Sequence, residues 1–138
     1  MPQEAKVQAQ PLIAVRDVRA SSRWYQQLLG LDALQEHIHR DVYDRLFSDG
    51  QLMLQLHAWD EHDHPNLDNP QAAPAGLGVL LWFEVDEFKA AVQRARALGA
   101  EVVQEPAVNQ NSRQPEIWLH DPDGYVVVVA GHEGESSS

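Results

Sequence analysis

The sequence repeats one short pattern in its two halves. Asp17 precedes an amphipathic stretch that ends at Leu29-Gly30, and Asp86 precedes another that ends at Leu98-Gly99. The acid and the glycine are 13 residues apart in both halves. Strand-like segments flank each stretch. An internal repeat of this kind indicates two copies of one supersecondary unit, so the chain is predicted to fold as two similar modules.

The first half is predicted to contain one helix and four strands. The predicted elements are a strand over 12–18, a helix over 20–29, and strands over 34–39, 43–47 and 52–58. Gly30 suits the left-handed end of the helix. Asp49-Gly50 lies between the last two apolar runs, which is a strong hairpin signal.

The second half repeats the order after a loop over 59–76. Asp86 is predicted to cap a helix that ends at Gly99. The strands are predicted over 77–85, 101–104, 117–120 and 125–130, with a polar loop over 108–114. Asp121-Pro122-Asp123-Gly124 is a turn sequence between the last two strands. The domain is therefore expected over 10–130, with modules over 10–58 and 77–130, a polar tail over 1–9 and a disordered tail over 131–138.

The composition narrows the choice of partners. The 138 residues include 10 basic and 21 acidic side chains, a formal net charge of −11. This charge disfavours nucleic acid and anionic membranes and suits a neutral or cationic small molecule. The chain has no cysteine, which excludes disulfides and thiolate chemistry. No apolar run is long enough for a membrane span, and residues 1–10 lack a signal-peptide pattern, so a cytoplasmic location is expected.

The ordered set of motifs resembles the vicinal oxygen chelate superfamily, which includes glyoxalase I, extradiol dioxygenases, fosfomycin-resistance enzymes and bleomycin-resistance proteins. The resemblance rests on Val15-Arg16-Asp17 ahead of Trp24-Tyr25 and Leu28-Leu29-Gly30, on Val85-Asp86 ahead of Leu98-Gly99-Ala100, and on Asp121-Pro122-Asp123-Gly124-Tyr125 before the last strand. It implies an α+β fold of two βαβββ modules that form a curled mixed sheet around a cup. It also implies a homodimer, because many members complete the cup across a dimer.

Metal-dependent members of that superfamily place one ligand in the first and one in the last strand of each module. Carried onto this chain, those places fall on Gln10, Gln55, Leu80 and Val128. Leucine and valine cannot bind a metal, and glutamine offers only a weak neutral oxygen, whereas divalent metals prefer imidazole or carboxylate. A shift of one residue at the last two places meets only other apolar side chains. The sequence therefore predicts no metal cofactor.

Strand alternation then divides the sheet residues into two faces. The face expected to line the cup carries Gln10, Leu12, Ala14, Met53, Gln55, His57, Leu80, Trp82, Glu84, Glu116, Trp118, His120, Val126, Val128 and Ala130. The opposite face is almost wholly apolar and is the predicted core: Leu52, Leu54, Leu56, Leu81, Phe83, Val85, Ile117, Leu119, Val127 and Val129.

The cup face mixes apolar walls with a few polar groups, as small-molecule pockets do. The residues predicted to bind a ligand are Met53, Gln55, His57, Trp82, Glu84 and Trp118. Tryptophan can stack on planar or cationic groups. The alternative is that Trp82 and Trp118 only pack in a dimer interface or a filled cup.

Two weaker chemical hypotheses also arise from the sequence. Glu116 and His120 share the cup face and are candidates for an acid–base pair. An alternative metal site would use Gln10, Gln55, His57, His62 and His64, with help from the acids of the 59–76 loop; a solvated acidic loop explains the same residues. His37 and His39 share a face of the predicted 34–39 strand.

The sequence thus favours a binding protein over an enzyme. The first hypothesis is a protein similar to bleomycin-resistance proteins, which holds a small, aromatic or cationic molecule without a metal. The alternative is a metal-dependent lyase, isomerase or dioxygenase of the glyoxalase type with displaced ligands. A third hypothesis is a structural homodimer whose cup is filled.

Overall fold

Two sheets and two helices make up the described part of the molecule. The computed structural model describes residues 8–31, 41–60, 65–71, 74 and 76–138. The elements are β1 (Leu12–Val15), α1 (Val18–Leu29), β2 (Tyr43–Ser48), β3 (Gln51–Ala58), a 3₁₀ turn (Pro65–Leu67), β4 (Leu80–Glu84), α2 (Phe88–Ala97), β5 (Glu101–Val108), β6 (Pro115–His120) and β7 (Val126–Ala130). Neither described helix is long and apolar enough to cross a membrane.

The strand order confirms the internal repeat. The first sheet has the order β1-β3-β2 and the second has the order β4-β7-β6-β5. β1 is parallel to β3 as β4 is parallel to β7, and the remaining pairs are antiparallel. The sheets are separate in the described residues, whereas the resemblance implied one curled sheet. The strand predicted over 34–39, with His37 and His39, lies outside the described residues.

The predicted core face is confirmed for seven of its ten members, whereas Leu52, Phe83 and Val85 are only partly buried. Its members Leu54, Leu56, Ile117, Leu119, Val127 and Val129 are fully buried, and Leu81 nearly so. They form one cluster with Tyr25 and Leu28 of α1 and with Phe88, Ala91 and Ala95 of α2. The two modules therefore pack together through the sides that carry their helices. Full burial of each large apolar side chain stabilises the folded chain by about 1.5–3 kcal/mol relative to leaving it exposed.

The turn between β6 and β7 ties the second module to the first. The buried Tyr25 hydroxyl donates a hydrogen bond to Asp121 Oδ2 at 2.6 Å, and the Tyr125 hydroxyl donates to the Ala14 carbonyl at 2.9 Å. Arg16 Nε pairs with Asp123 at 2.9 Å. Burial raises the pKa of the Asp121 carboxyl, while the bond from Tyr25 lowers it. Burial and then the Asp121 charge hold the pKa of Tyr25 well above its usual value.

The two helices begin differently, although they occupy equivalent places in the repeat. The Ala20 N–H donates to Asp17 Oδ1 at 3.0 Å, which is an ordinary N-cap. The predicted cap of α2 by Asp86 is wrong. The residue before α2 is Glu87, which lies in the left-handed region at φ 55° and makes no side-chain cap bond. Instead the Phe88 N–H donates to Glu135 Oε2 at 2.7 Å.

The segment after β7 differs from the predicted disordered tail. Gly131 is buried, and its N–H donates to the Pro115 carbonyl at 2.9 Å. The Gly134 N–H donates to the Arg113 carbonyl at 3.0 Å. Residues 131–135 thus make defined contacts with the domain. The segment at 101–108 is likewise one continuous strand, where a strand over 101–104 was predicted.

Candidate functional site

A groove of about 940 Å³ runs along β4, which is an edge strand of the second sheet. Its other walls are Leu52–Leu54 of β3, the end of α1 at Leu29–Leu31, and side chains from α2 and from the segment after β7. The groove forms here because the modules pack through their helices and leave the outer side of β4 uncovered by any described strand.

Trp82 is the largest of the described residues that line this groove. It is 43% exposed, and its neighbour on the same face of β4, Leu80, is 47% exposed. Large apolar side chains exposed on a soluble protein commonly mark interaction sites when they lie together. Met53 of β3 completes the apolar wall.

A row across the second sheet joins the two tryptophans of the predicted site. Trp82 pairs with Val128, and Val128 pairs with Trp118. Trp118 does not line the groove. Val128, Ala130 and Ala14 were predicted to line the cup, but all are buried. The cup face is therefore partly filled by its own side chains, and the open part lies beside Trp82.

One end of the groove is charged. Glu84, Asp86, Arg94 and His132 line it. His132 Nε2 lies 2.6 Å from Asp86 Oδ1, and His132 Nδ1 lies 3.2 Å from Glu84 Oε1. The hydrogen bond with Asp86 is the main cause that raises the pKa of His132. The Arg94 Nε–H donates to the Leu28 carbonyl at 2.9 Å, so this guanidinium links α2 to α1.

The two candidates for an acid–base pair, Glu116 and His120, each have other partners. Glu116 is buried, with Asn109 Nδ2 donating to its Oε2 at 2.9 Å and Trp118 Nε1 donating to its Oε1 at 3.0 Å. His120 Nδ1 instead lies 3.1 Å from Glu101 Oε1. Glu116 thus holds the Trp118 ring in place, and the partly exposed His120, at the end of β6, pairs with a different carboxylate.

In the first module, only Met53 of the predicted ligand-binding residues lines the groove. Gln55 accepts a hydrogen bond from the Tyr43 hydroxyl and donates from Nε2 to the Gln10 carbonyl at 3.0 Å. His57 Nδ1 lies 2.7 Å from the Ala58 carbonyl. The groove therefore brings together Met53, Trp82 and Glu84, and it leaves out Gln55, His57 and Trp118.

Sequence reasoning missed Arg94 and His132. No role was predicted for Arg94, and His132 fell within the predicted disordered tail over 131–138. Their partners are 66 and 46 residues away along the chain. No local motif marks either contact. The only signal was that a polar residue lies within α2 and another lies just after β7.

The four places that carry metal ligands in metal-dependent relatives do not fit a divalent ion here. Gln55 is held by Tyr43 and Gln10, and Leu80 and Val128 offer no donor atom. Leu80 pairs with Val126 in the sheet, so Leu80 and Val128 are not opposite each other. No group of three or more metal-ligating side chains occurs among the residues that the structure describes. His62 and His64 lie outside them.

Comparisons with known proteins agree with this architecture. A family profile described as the Glyoxalase/Bleomycin resistance protein/Dioxygenase superfamily matches residues 7–129. A glyoxalase/bleomycin resistance protein/dioxygenase family enzyme from Burkholderia phytofirmans is 24% identical with a TM-score of 0.69, covering 88% of this chain and 95% of that one. A lactoylglutathione lyase from Agrobacterium tumefaciens is 19% identical with a TM-score of 0.67, covering 94% and 96%.

A protein of unknown function from Agrobacterium tumefaciens is 22% identical with a TM-score of 0.70, covering 94% and 96%. At these identities the structural likeness shows a shared fold, and a shared activity does not follow from it. No curated protein matches the sequence. The profile, in contrast, spans both modules and the turns that define the repeat. The chain therefore belongs to the Glyoxalase/Bleomycin resistance protein/Dioxygenase superfamily.

Proposed function

We propose that this protein binds a small, aromatic or cationic molecule in the β4 groove and that it does so without a metal. The observation that carries the proposal is the exposed Trp82, which lines the groove together with the apolar Leu80 and Met53 and the acidic Glu84. Apolar walls with a few orienting polar groups are typical of small-molecule sites.

The chemistry of the groove favours a ring with a positive charge. An indole face attracts a cation within about 6 Å of its centre, which contributes about 0.5–2 kcal/mol. Glu84 and the chain's net charge of −11 add attraction at longer range. Among the described residues that line the groove, only Arg94 and His132 bring positive charge, and both are already engaged with groups of the protein.

The absence of suitable ligands at the metal positions of the family supports a role in binding rather than in metal-assisted chemistry. Gln10, Gln55, Leu80 and Val128 together provide two neutral amides and two hydrocarbon side chains. Such a set of side chains is poorly suited to hold a divalent metal, the Lewis acid that would polarise a substrate.

Tryptophan fluorescence and calorimetry with an aromatic cation test the proposal. A benzyl-substituted quaternary ammonium ion is a suitable first probe, and bleomycin is a second. We expect binding to the wild-type protein, and we expect Trp82→Leu to weaken it about tenfold or more because the stacking face is lost. Trp82→Phe keeps a ring and should keep part of the affinity.

Trp118→Phe is the matched control, since Trp118 lies in the same cross-strand row but outside the groove. Equal loss in both variants would place the ligand elsewhere on the sheet, and no binding of any aromatic cation would contradict the proposal. Elemental analysis of tag-free protein is the second check. About one transition metal per chain would instead favour the enzyme with displaced ligands, with His57, His62 and His64 as the residues to substitute next.

We also propose that the protein is a homodimer. β1 and β4 are edge strands that expose Leu12 and Leu80 at 40% and 47%, and Leu77 beside β4 is 79% exposed. Exposed apolar edges invite pairing with another chain. A second copy is the partner we favour over nucleic acid or a membrane surface, given the negative charge of the chain. The cytoplasmic location stays a prediction that cell fractionation would check.

A further inference from the structure

We propose that residues 131–135 act as a strap across the charged end of the groove, which His132, protonated on both ring nitrogens, locks onto Glu84 and Asp86. Loss of one of these protons releases the strap. No step depends on a ligand, so the inference stands apart from the proposed binding function.

The lock is built around the ring of His132. One ring nitrogen faces Asp86 at 2.6 Å and the other faces Glu84 at 3.2 Å. A neutral imidazole has a single N–H and presents a lone pair at the other nitrogen. Only the imidazolium can therefore present an N–H and a positive charge to both carboxylates, through a hydrogen bond to Asp86 and an ion-pair contact with Glu84. In the neutral ring, one carboxylate would face a lone pair and the contact would be repulsive.

Glu135 connects the strap to the first residue of α2. Glu135 Oε1 accepts a hydrogen bond from the backbone N–H of His132 at 2.9 Å, and Glu135 Oε2 accepts one from the backbone N–H of Phe88 at 2.7 Å. The Phe88 N–H is at the start of α2, where Glu87 provides no cap. A carboxylate is favourable at a helix N-terminus. The strap thus supplies the cap that α2 lacks in its own sequence.

Gln114 holds the base of the strap. Its Nε2 donates to Glu84 Oε2 at 2.8 Å and to the Gly131 carbonyl at 3.0 Å. These bonds do not titrate, so the strap hinges at Gly131 when the His132 contacts break. Release of the strap then also has to break the backbone bond from the Gly134 N–H to the Arg113 carbonyl. The side chains of His132 and Glu84 are each about half exposed. Exposed pairs are individually weak, which lets the strap release without unfolding the core.

The charges around His132 define a pH window. Glu84 faces it from β4, Asp86 from the β4–α2 connection and Glu135 from the strap itself, while Arg94 of α2 lines the same groove. The pKa of His132 is raised. Its contribution to the stability of the strap is therefore complete at pH below the ordinary histidine pKa and is lost as pH rises through the raised pKa. The pKa of Glu135 is lowered by its bonds to the His132 and Phe88 amides, so its contribution is lost as pH falls through the lowered value. The strap should be locked between these two limits.

Two NMR measurements on the full chain test the strap. The first follows the ring C–H signal of His132 with pH. We expect an apparent pKa above the usual value of about 6.5 in the wild type, and a fall toward that value in Asp86→Asn. The second follows hydrogen exchange of the Phe88 amide. Corrected for its intrinsic pH dependence, exchange should rise about tenfold or more once pH exceeds the pKa of His132.

His132→Phe keeps a ring of similar size without nitrogens, and Phe88 exchange should then be fast at every pH. His120→Phe is the matched control, because His120 also pairs with a carboxylate, Glu101, but lies outside the groove; it should leave the Phe88 profile unchanged. A His132 signal that titrates at the ordinary value and ignores Asp86→Asn would overturn the inference. Equal protection of Phe88 on both sides of the transition would do the same, and neither result requires the His132 variant to fold.

Discussion

At the scale of single residues, the hydroxyl of Tyr25 carries much of the connection between the modules. It donates to Asp121, and both groups are buried. We expect Tyr25→Phe to lower the free energy of unfolding by about 1–3 kcal/mol at neutral pH, because a buried carboxylate loses a donor. Denaturation with urea measures this loss. Asp121 still accepts from the Asp123 and Tyr125 amides, so the fold should survive.

The loss should depend on pH with a definite sign. Burial raises the pKa of Asp121 overall, and the bond from Tyr25 lowers it part of the way back. The contribution of that bond to stability is therefore present above the pKa of Asp121 and is lost as pH falls through it. The difference in free energy of unfolding between the wild type and Tyr25→Phe should therefore become smaller at acidic pH. Tyr43→Phe is the control: its hydroxyl meets the neutral amide of Gln55 within one module, and its cost of about 0.5–1.5 kcal/mol should not vary with pH. A constant gap for Tyr25→Phe would contradict this account.

Residue-level predictions from the sequence succeeded where alternation alone decides the outcome. Leu54, Leu56 and Ile117 are buried because every second residue of a half-buried strand faces the core. The site was predicted less well. Trp82 and Glu84 lie in the groove, but Arg94 and His132 join them only after the chain has folded, since their partners are far away in sequence.

At the scale of elements, the repeat offers a matched pair of helix ends. Gly30 ends α1 at φ 67°, and Gly99 follows α2 at φ 65°. Replacement of either by alanine should lower stability by about 1–2 kcal/mol, because a side chain disfavours the left-handed region. A Cβ at Gly30 would also lie 3.1 Å from Arg94 Cζ, whereas nothing lies within 4 Å at Gly99.

Gly30→Ala should therefore cost more than Gly99→Ala, by about 1 kcal/mol if the Arg94 bond to Leu28 is lost. Thermal unfolding of the two variants measures the difference. The double variant with Arg94→Ala should remove the excess, since no guanidinium is then left to be displaced. Equal costs for the two single variants would show that Arg94 moves aside freely.

Elements were predicted best where a local signal had no competitor. The hairpin at Asp49-Gly50 formed as expected. Asp17, which lay inside the strand predicted over 12–18, caps α1 instead. Asp86 had the same local pattern as Asp17, but its carboxylate bonds to His132, and Glu135 takes the place at the helix start. A cap can be predicted from spacing only when no distant side chain supplies a better partner.

At the scale of the whole molecule, the repeat predicted two modules of one topology, and the family profile agrees over residues 7–129. It could not predict how the modules pack. That arrangement depends on contacts such as Tyr25 with Asp121 and Arg16 with Asp123, which no periodic pattern encodes. Because the helix-bearing sides face each other, the exposed residues on the outer faces of the sheets, such as Leu12 and Trp82, are left to solvent or to another chain.

The dimer proposal follows from those outer faces and is tested by sedimentation over a range of protein concentrations. Leu12→Asp places a charge on the exposed edge of β1 without altering a residue that lines the groove, and it should dissociate the dimer because a carboxylate would have to be buried at the interface. Val103→Asp is the control, since Val103 is 45% exposed on β5, at the far edge of the second sheet. Two copies that each carry a net charge of −11 repel each other, so added salt should strengthen the wild-type dimer by screening. A wild-type chain that stays monomeric at high concentration and high salt would leave β1 and β4 as true free edges.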